Sequence, residues 1–229
     1  MTRVLVIAAH PDDEVLGCGA TMARHAARGD EVSVLVLADG VGARNAAGSS
    51  ENASELQQRQ RAANEANAIL GTGALALHDF PDNQMDAVPL LAVVKRVEAE
   101  LTRAAPDIIY THYAYDLNID HCLTHRAVIT AARPSAFPSV RLIACFEIAS
   151  STEWMPAGSG VAFAPNYFVD ITGFLDCKLR ALACYDAEMR PYPHPRSEAA
   201  IRHQAAMRGC MAHLEAAEAF VISRMIEGD

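Results

Sequence analysis

The chain has little positive charge. Its 229 residues include 19 Lys and Arg against 28 Asp and Glu, a formal net charge of −9, and lysine occurs only at Lys95 and Lys178. A nucleic-acid-binding surface needs clustered basic side chains to meet the phosphates. We therefore expect no nucleic-acid partner.

Long apolar runs are also missing. No uninterrupted apolar stretch approaches the ~20 residues that a membrane-spanning helix requires. The apolar run after Arg3 stops at His10, with no small-residue cleavage site before it, which is unlike a secretory signal peptide. We expect no membrane span and a cytoplasmic protein. Alanine- and methionine-rich helical faces near the C-terminus would permit a homo-oligomer.

The six cysteines contain no C-x-x-C pair. In a chain of this size such scattered cysteines are typical of reduced thiols, some of them in the core, and not of a disulfide framework or a thiolate zinc site. Any metal is therefore expected to be held by His and Asp.

Strand and helix patterns alternate along the sequence. Apolar, β-branched runs predict strands at 3–9, 31–38, 74–78, 108–111, 141–148 and 166–171. Helix-forming stretches predict helices at 14–28, 56–70, 88–104, 173–189 and 196–222. The chain from about residue 173 is thus expected to be mainly helical.

This alternation predicts a single α/β domain over residues 1–229, a three-layer Rossmann-like sandwich with a mostly parallel sheet. No repeat, low-complexity tract or linker divides the chain. Ligands of such folds bind beyond the carboxyl ends of the strands, so these positions are where functional residues are expected.

The first polar cluster, Ala9-His10-Pro11-Asp12-Asp13-Glu14, follows the first strand directly. One imidazole and three carboxylates so close together are unfavourable unless a cation binds or a pKa is raised. His and carboxylate ligands without thiolate suit zinc, iron or manganese. The plain alternative is that the aspartates cap the helix that follows.

A second polar cluster follows the strand at 108–111. It holds three histidines and two aspartates between His112 and His125. A helix beginning near Asp120 would put His121 and His125 on one face. Cys122 stands where a zincin motif requires Glu, so that class is rejected. For His112 and His125 a surface histidine is the plain alternative.

The combination of Ala-His-Pro-Asp-Asp-Glu with Asp-x-Asn-x-Asp-His about a hundred residues later resembles the LmbE/PIG-L family of zinc-dependent N-acetylglucosaminyl de-N-acetylases. The resemblance runs from residue 3 to about residue 222, and the stretches 151–154, 165–170 and 193–197 are similar to a bacterial subgroup. It implies one Zn²⁺ per chain and a small N-acetylated sugar or sugar conjugate as the substrate, hydrolysed to a free amine and acetate.

The resemblance also implies roles for individual residues. His10, Asp13 and His121 become the metal ligands, and Asp12 becomes the general base. Asp120 becomes a carboxylate that supports or relays to the site, as metal sites commonly require. Two His and one Asp leave an open position for water, as in catalytic zinc sites.

The second motif departs from the family pattern. Asn118 stands where better-known members have a His that is thought to assist at the oxyanion, and Asp116 stands where the family has a nearby Tyr. An asparagine donates a hydrogen bond to an oxyanion but supplies no proton. His194, between two prolines, is the candidate replacement; a rigid interhelical turn is the alternative.

Substrate contacts are implied by the same resemblance. An arginine after the second strand is expected to contact the sugar, with Arg44 preferred over Arg59 and Arg61, and the turn at Asp82 and Asn83 is expected to bind hydroxyl groups. A solvated surface residue is the alternative for each arginine.

Two other functions compete with this interpretation. A metal-dependent phosphoesterase usually needs two metals ~4 Å apart and basic side chains around the phosphate, whereas the sequence offers three or four ligands and few cations. An inactive nucleotide- or sugar-binding module would rest on Gly17-Cys18-Gly19, which lacks the third glycine of a dinucleotide-binding turn and lies too far from the first strand.

Overall fold

Strands and helices alternate along most of the chain. The computed structural model describes residues 1–42 and 50–228, apart from the side chains of residues 50–53. The strands are β1 (Arg3–Ala8), β2 (Glu31–Ala38), β3 (Leu75–Phe80), β4 (Ile108–His112), β5 (Leu142–Phe146), β6 (Tyr167–Asp170) and β7 (Ala217–Met225). The helices are α1 (Asp13–Ala27), α2 (Ser50–Leu70), α3 (Leu90–Ala104), α4 (Ile119–Ala131), α5 (Leu175–Ala183) and α6 (Glu198–Met211).

The strands form one sheet in the order β3-β2-β1-β4-β5-β7-β6. The five strands from β3 to β5 run parallel, β7 pairs antiparallel with β5, and β6 pairs antiparallel with β7. The strand order reverses between β1 and β4, and in open α/β sheets such a reversal opens a crevice at the carboxyl ends of the strands. The segments after β1 and β4 therefore meet at one place.

Helices cover both faces of the sheet. Helices α1, α2, α5 and α6 pack on one face, and α3 and α4 pack on the other. Alternate residues of β1 divide between the faces, Val4 and Val6 on the first and Leu5 and Ile7 on the second. Because both faces are buried, the inner strands are almost continuously apolar. The predicted three-layer α/β sandwich with a mostly parallel sheet is confirmed.

The C-terminal part differs from the sequence prediction. The predicted helix over 196–222 is wrong beyond Met211, because α6 ends there and residues Ala217–Met225 form β7. The predicted helix over 173–189 is shortened to α5, followed by a single 3₁₀ turn at Asp186–Glu188. Phe220 of β7 is fully buried between the sheet and its helices. Pairing with β5 and β6 thus overrides the helix propensity of this alanine-rich run.

Among residues 1–42 and 50–228, no helix combines the length and the apolar character that crossing a membrane requires. The six cysteine thiols are free, with Cys18 and Cys145 buried in the core.

Candidate active site

The turn between β1 and α1 holds the first polar cluster in a strained conformation. Asp12 has a φ of 122°, a region that residues other than glycine rarely adopt. Its backbone N–H donates to Glu14 Oε2 at 3.0 Å, and Glu14 Oε1 accepts from the hydroxyl of Tyr185 at 2.7 Å. Burial raises the pKa of Glu14 to about 7. Glu14 thus supports the turn, which leaves the side chains of His10, Asp12 and Asp13 to form the site.

Two distant stretches of the chain converge on one carboxylate oxygen. Asp13 Oδ2 lies 3.1 Å from His10 Nδ1 and 3.2 Å from His121 Nε2. The two imidazole centroids are 5.4 Å apart, and all three side chains are buried. The three potential ligand atoms lie within 4.8 Å of one another. His10, Asp13 and His121 therefore form one group that faces a common point.

This group fits a divalent metal ion. Among the described residues, the second carboxylate oxygen of Asp13, Oδ1, is buried and has no hydrogen-bond partner. An unpaired polar atom in the interior is costly, and a cation at this point would satisfy it. Two imidazoles and one carboxylate match the ligand types of zinc and of other divalent transition metals.

The protonation of the two histidines follows from the carboxylates around them. Burial alone would lower the pKa of His10, but Asp120 and Asp13 outweigh it and raise this pKa to about 10. For His121, Asp13 and Asp116 likewise outweigh burial and raise the pKa to about 9. In return, the histidines hold the pKa of Asp13 well below its usual range, although burial opposes this. The positive charge of the two imidazoles and the negative charge of the surrounding carboxylates therefore stabilise each other.

A second carboxylate lies behind each histidine. Asp120 Oδ2 lies 3.1 Å from His10 Nε2, and Asp116 Oδ1 lies 3.0 Å from His121 Nδ1. Such contacts fix the ring orientation and the tautomer, so that the other nitrogen points to the metal position. The sequence predicted a supporting role for Asp120 only. It noted Asp116 as a departure from the family, and the contact with His121 was missed.

Asp120 also belongs to a grouping with His10 and Asp82 that could hold a cation. However, Asp120 Oδ2 accepts the backbone N–H of Asn83 at 2.7 Å, and Oδ1 accepts that of Met85 at 3.0 Å. Because both oxygens already accept hydrogen bonds, Asp120 is better suited to orient His10 than to coordinate a second metal.

The other two histidines of the second cluster do not belong to the candidate ligand group, although His112 Nε2 lies 3.5 Å from Asp13 Oδ2. His112 is fully buried, so the surface alternative for it is wrong. Its Nε2 accepts the backbone N–H of Ala9 at 2.8 Å, and its ring stacks on His121 with centroids 4.1 Å apart. Burial holds its pKa well below the usual range, so the ring is neutral. His125 Nδ1 donates to the carbonyl of His112 at 2.9 Å.

Asp12 is held from the far end of the chain. Its Oδ2 accepts from Arg196 Nη1 at 2.9 Å, a contact between residues 184 positions apart. Arg196 also donates to Ser150 Oγ at 2.9 Å and pairs with Glu188 at 3.4 Å. Burial raises the pKa of Asp12 to about 6, and Arg196 opposes this rise. The stretch 193–197, noted for its similarity to a bacterial subgroup, contains Arg196, but the sequence predicted no role for this residue and no contact with Asp12.

A polar cleft of about 140 Å³ opens above the three candidate ligands. We call it the metal-side cleft. Seven predicted site residues line it, namely His10, Asp12, Asp13, Asp82, Asn83, Asn118 and His121. The lining also includes Arg59, Ser150, Ser151, Glu188 and Arg196.

Of the predicted site residues that the structure describes, Asp120 and His194 are not in the lining of this cleft. Asp120 lies behind His10, as described above. His194 lines a neighbouring cavity, and its Nδ1 accepts the backbone N–H of Arg196 at 3.1 Å. Arg44 lies outside the described residues. Of the two other arginines considered, Arg59 lines the cleft, whereas Arg61 donates to the carbonyl of Gln57 on the exposed side of α2.

The sequence profile of one family, PIG-L, described as GlcNAc-PI de-N-acetylase, matches residues 5–132. This is more than half of the chain and includes both polar clusters. The chain belongs to the PIG-L family. The part of this PIG-L protein that matches runs from β1 to the end of α4, which is the part that supplies all three candidate metal ligands.

The relatives of this PIG-L protein include sugar deacetylases. It is 29% identical to diacetylchitobiose deacetylase from Thermococcus kodakarensis over 196 residues, which are 81% of this chain and 70% of that protein. N,N'-diacetylchitobiose deacetylase from Pyrococcus horikoshii has the same fold, with a TM-score of 0.77 and 23% identity over 96% of this chain and 83% of that one. The family and the 29% identical relative identify the chain as an amide hydrolase, an N-deacetylase acting on carbon–nitrogen bonds other than peptide bonds.

A protein that catalyses a different reaction has the same fold. GalB, the 4-carboxy-2-hydroxymuconate hydratase of Pseudomonas putida KT2440, superposes with a TM-score of 0.77 and 21% identity over 100% of this chain and 99% of that one. Because one fold supports different chemistries, the substrate of this PIG-L protein has to be argued from its site residues.

Proposed function

We propose that the protein is a zinc-dependent hydrolase that removes the acetyl group from an N-acetylated amino sugar or sugar conjugate, giving a free amine and acetate. The observation that carries this proposal is the convergence of His10 and His121 on Asp13 Oδ2 in a polar cleft. The other oxygen of that carboxylate, Oδ1, is buried and has no hydrogen-bond partner among the described residues. These three residues would hold a zinc ion, which would lower the pKa of a bound water to about 7 and would act as a Lewis acid toward the acetyl carbonyl.

Asp12 is the general base in this proposal. It lines the metal-side cleft next to Asp13 without belonging to the ligand group. Arg196 donates to Asp12 Oδ2, and this contact orients the carboxylate. The other oxygen, Oδ1, is therefore the atom that accepts the proton in this proposal. A pKa raised to about 6 lets this carboxylate take a proton from the attacking water near neutral pH and return it to the leaving amine.

Asn118 is the preferred oxyanion donor. Asn118 lines the cleft, and its Oδ1 accepts the backbone N–H of Asp120 at 2.8 Å, which leaves the amide nitrogen as its donor group. One hydrogen of that nitrogen is donated to Asn83 Oδ1 at 2.9 Å, and the other is available for a developing oxyanion. His194 is the weaker candidate, because it lines the neighbouring cavity and not the metal-side cleft.

The polar lining of the cleft suits a hydroxyl-rich substrate. We propose that Asp82, Asn83 and Arg59 contact the sugar, since all three line the cleft. Arg44 stays a proposal that rests on the family resemblance. A cytoplasmic location and a homo-oligomeric state also stay predictions.

The proposal is tested by measuring both products of the reaction. The zinc-loaded protein is incubated with N-acetylglucosamine, N,N'-diacetylchitobiose and a phosphate monoester, and acetate, primary amine and phosphate are quantified. We expect equal amounts of acetate and amine and no phosphate. Phosphate without acetate would support a phosphoesterase, and no product from the zinc-loaded protein would support a binding module; either result would overturn the proposal.

Asp116→Asn is expected to weaken zinc binding by about 10–100-fold, the usual effect of removing a carboxylate that supports a ligand histidine. The asparagine keeps the shape of Asp116 but loses the charge that orients His121 through Nδ1. Zinc affinity is measured by competition with a chromogenic chelator.

Asp176→Asn is the control, because Asp176 is an exposed aspartate that pairs with Arg202 at 2.9 Å on the surface. An Asp116→Asn protein that folds normally and binds zinc as tightly as the control would contradict a supporting role for Asp116.

A further inference from the structure

A second cavity of about 210 Å³ adjoins the metal-side cleft. We call it the outer cavity. Ser150, Glu188 and Arg196 line both spaces, and Arg190 and His194 complete the outer one. Because three residues are common to the two linings, a molecule bound at the metal position can extend directly into the outer cavity.

An exposed tryptophan lies beside this cavity. Trp154 is the single tryptophan of the chain, and half of its surface is exposed. Its ring meets the imidazole of His194 in a T-shaped contact, with centroids 5.7 Å apart. Because His194 lines the outer cavity, the half-exposed indole beside it offers an apolar surface to a ligand that extends past His194.

Hydrogen bonds connect the turn that carries Trp154 to the candidate metal site. Trp154 ends a 3₁₀ turn, Thr152–Trp154, in which its backbone N–H donates to the carbonyl of Ser151 at 3.1 Å. Thr152 Oγ1 donates to Asp116 Oδ2 at 2.5 Å, and Asp116 in turn contacts His121. The turn that carries the indole is thus hydrogen-bonded to the carboxylate behind a candidate metal ligand, so little ordering is needed when a ligand binds.

The polar groups of the outer cavity suit hydroxyl groups. Because His194 Nδ1 accepts from the backbone of Arg196, its proton is on Nε2, which can donate. Glu188 pairs with Arg196 and Arg59, which matches the charges nearest the metal-side cleft. Arg190 donates to the carbonyls of residues 187 and 189 and keeps its positive charge, but it is exposed, so solvent screens that charge. A neutral polar ring is therefore favoured over a strongly charged group.

We propose that Trp154 and His194 form an outer subsite for a second, neutral sugar ring, the one linked to the N-acetylated ring whose acetyl group is removed. The apolar face of the second ring stacks on the indole, and His194 Nε2 donates to one of its hydroxyls. This inference rests on the proposed function, because it assumes that the N-acetylated ring occupies the metal-side cleft. The subsite would make a disaccharide a better substrate than the corresponding monosaccharide.

The single tryptophan allows a direct binding test. The zinc-loaded protein is titrated with N,N'-diacetylchitobiose and with N-acetylglucosamine while tryptophan fluorescence is recorded. We expect a saturable change with the disaccharide, half-complete at a lower concentration than any change with the monosaccharide. An emission that neither sugar alters would overturn the subsite, whether or not acetate is released.

Kinetics test the same subsite independently. Trp154→Ala is expected to lower kcat/KM for the disaccharide by about tenfold through KM, the size of one aromatic contact, and to leave N-acetylglucosamine nearly unaffected. Trp154→Phe, which keeps an aromatic face, should recover most of the loss. His194→Ala should act in the same direction, whereas His203→Ala, which removes an exposed histidine facing Tyr192, should have no effect.

The outcomes separate this inference from the proposed function. Absence of acetate from both sugars with the wild-type protein would reject the proposed function, and the fluorescence titration would then decide the subsite alone. An equal loss for both sugars in Trp154→Ala would show a structural role for the residue and overturn the subsite. Tighter binding of N-acetylglucosamine 1-phosphate than of the disaccharide would contradict the proposal that the outer subsite binds a neutral ring.

Discussion

Asp12→Asn is expected to reduce kcat for acetate release by about 10²–10⁴-fold, the usual contribution of a general base, while zinc stays bound. Asparagine has nearly the shape of aspartate and is one of the few residues that tolerate a positive φ, so the turn at 122° can persist. It can still accept from Arg196, but it cannot take a proton from water. Zinc content is measured by mass spectrometry and kcat by the acetate produced at saturating substrate.

Asp107→Asn is a matched control for this experiment. Asp107 also pairs with an arginine, since its Oδ1 lies 3.1 Å from Arg3 Nη2, but it precedes β4 at the opposite end of the sheet. It should leave kcat unchanged. If Asp12→Asn and Asp107→Asn proved equally active, Asp12 would not be the base.

His121→Ala is expected to abolish both zinc binding and turnover. Only His10 and Asp13 would remain at the metal position, and the carboxylate of Asp116 would lose the imidazole that it contacts. Catalytic zinc sites keep three protein ligands, so two should not retain the ion during dialysis. The expected activity is that of the reaction without protein, measured by acetate release together with zinc content.

His125→Ala is the control for His121→Ala, because His125 lies one turn further along α4 and donates to the carbonyl of His112. Its removal should leave the zinc content and acetate release close to wild type. A full equivalent of zinc in folded His121→Ala protein would exclude His121 as a ligand and, with it, the proposed metal site.

Much of the site was predictable because its main residues are close together in sequence. His10, Asp12 and Asp13 occupy one turn after β1, and Asp116, Asn118, Asp120 and His121 occupy one loop and helix start after β4. The rule that parallel strands direct their carboxyl ends to one edge then brings the two groups together without further information. The contact of Asp120 with His10 fits the role that the resemblance implied for it.

The errors in the fold have a different cause. The sequence of β7 predicts a continued helix because alanine and glutamate precede its apolar residues. Local propensity contains no information about the place between β5 and β6 that this segment occupies in the sheet. Hydrogen bonding along both edges of β7 and burial of Phe220 stabilise the strand over the helix. These contributions exist only once the other strands are in place.

The type of fold and most of the candidate site residues could be predicted from the sequence, because buried parallel strands and clusters of candidate ligands are patterns over a few neighbouring residues. The tertiary structure alone decided what surrounds those ligands. The contacts of Arg196 with Asp12, of Thr152 with Asp116 and of Trp154 with His194 join residues that are 36 to 184 positions apart. A lone polar or aromatic residue carries no periodic signal, so its role depends on which distant side chain the packing of the sheet and its helices brings within hydrogen-bonding distance.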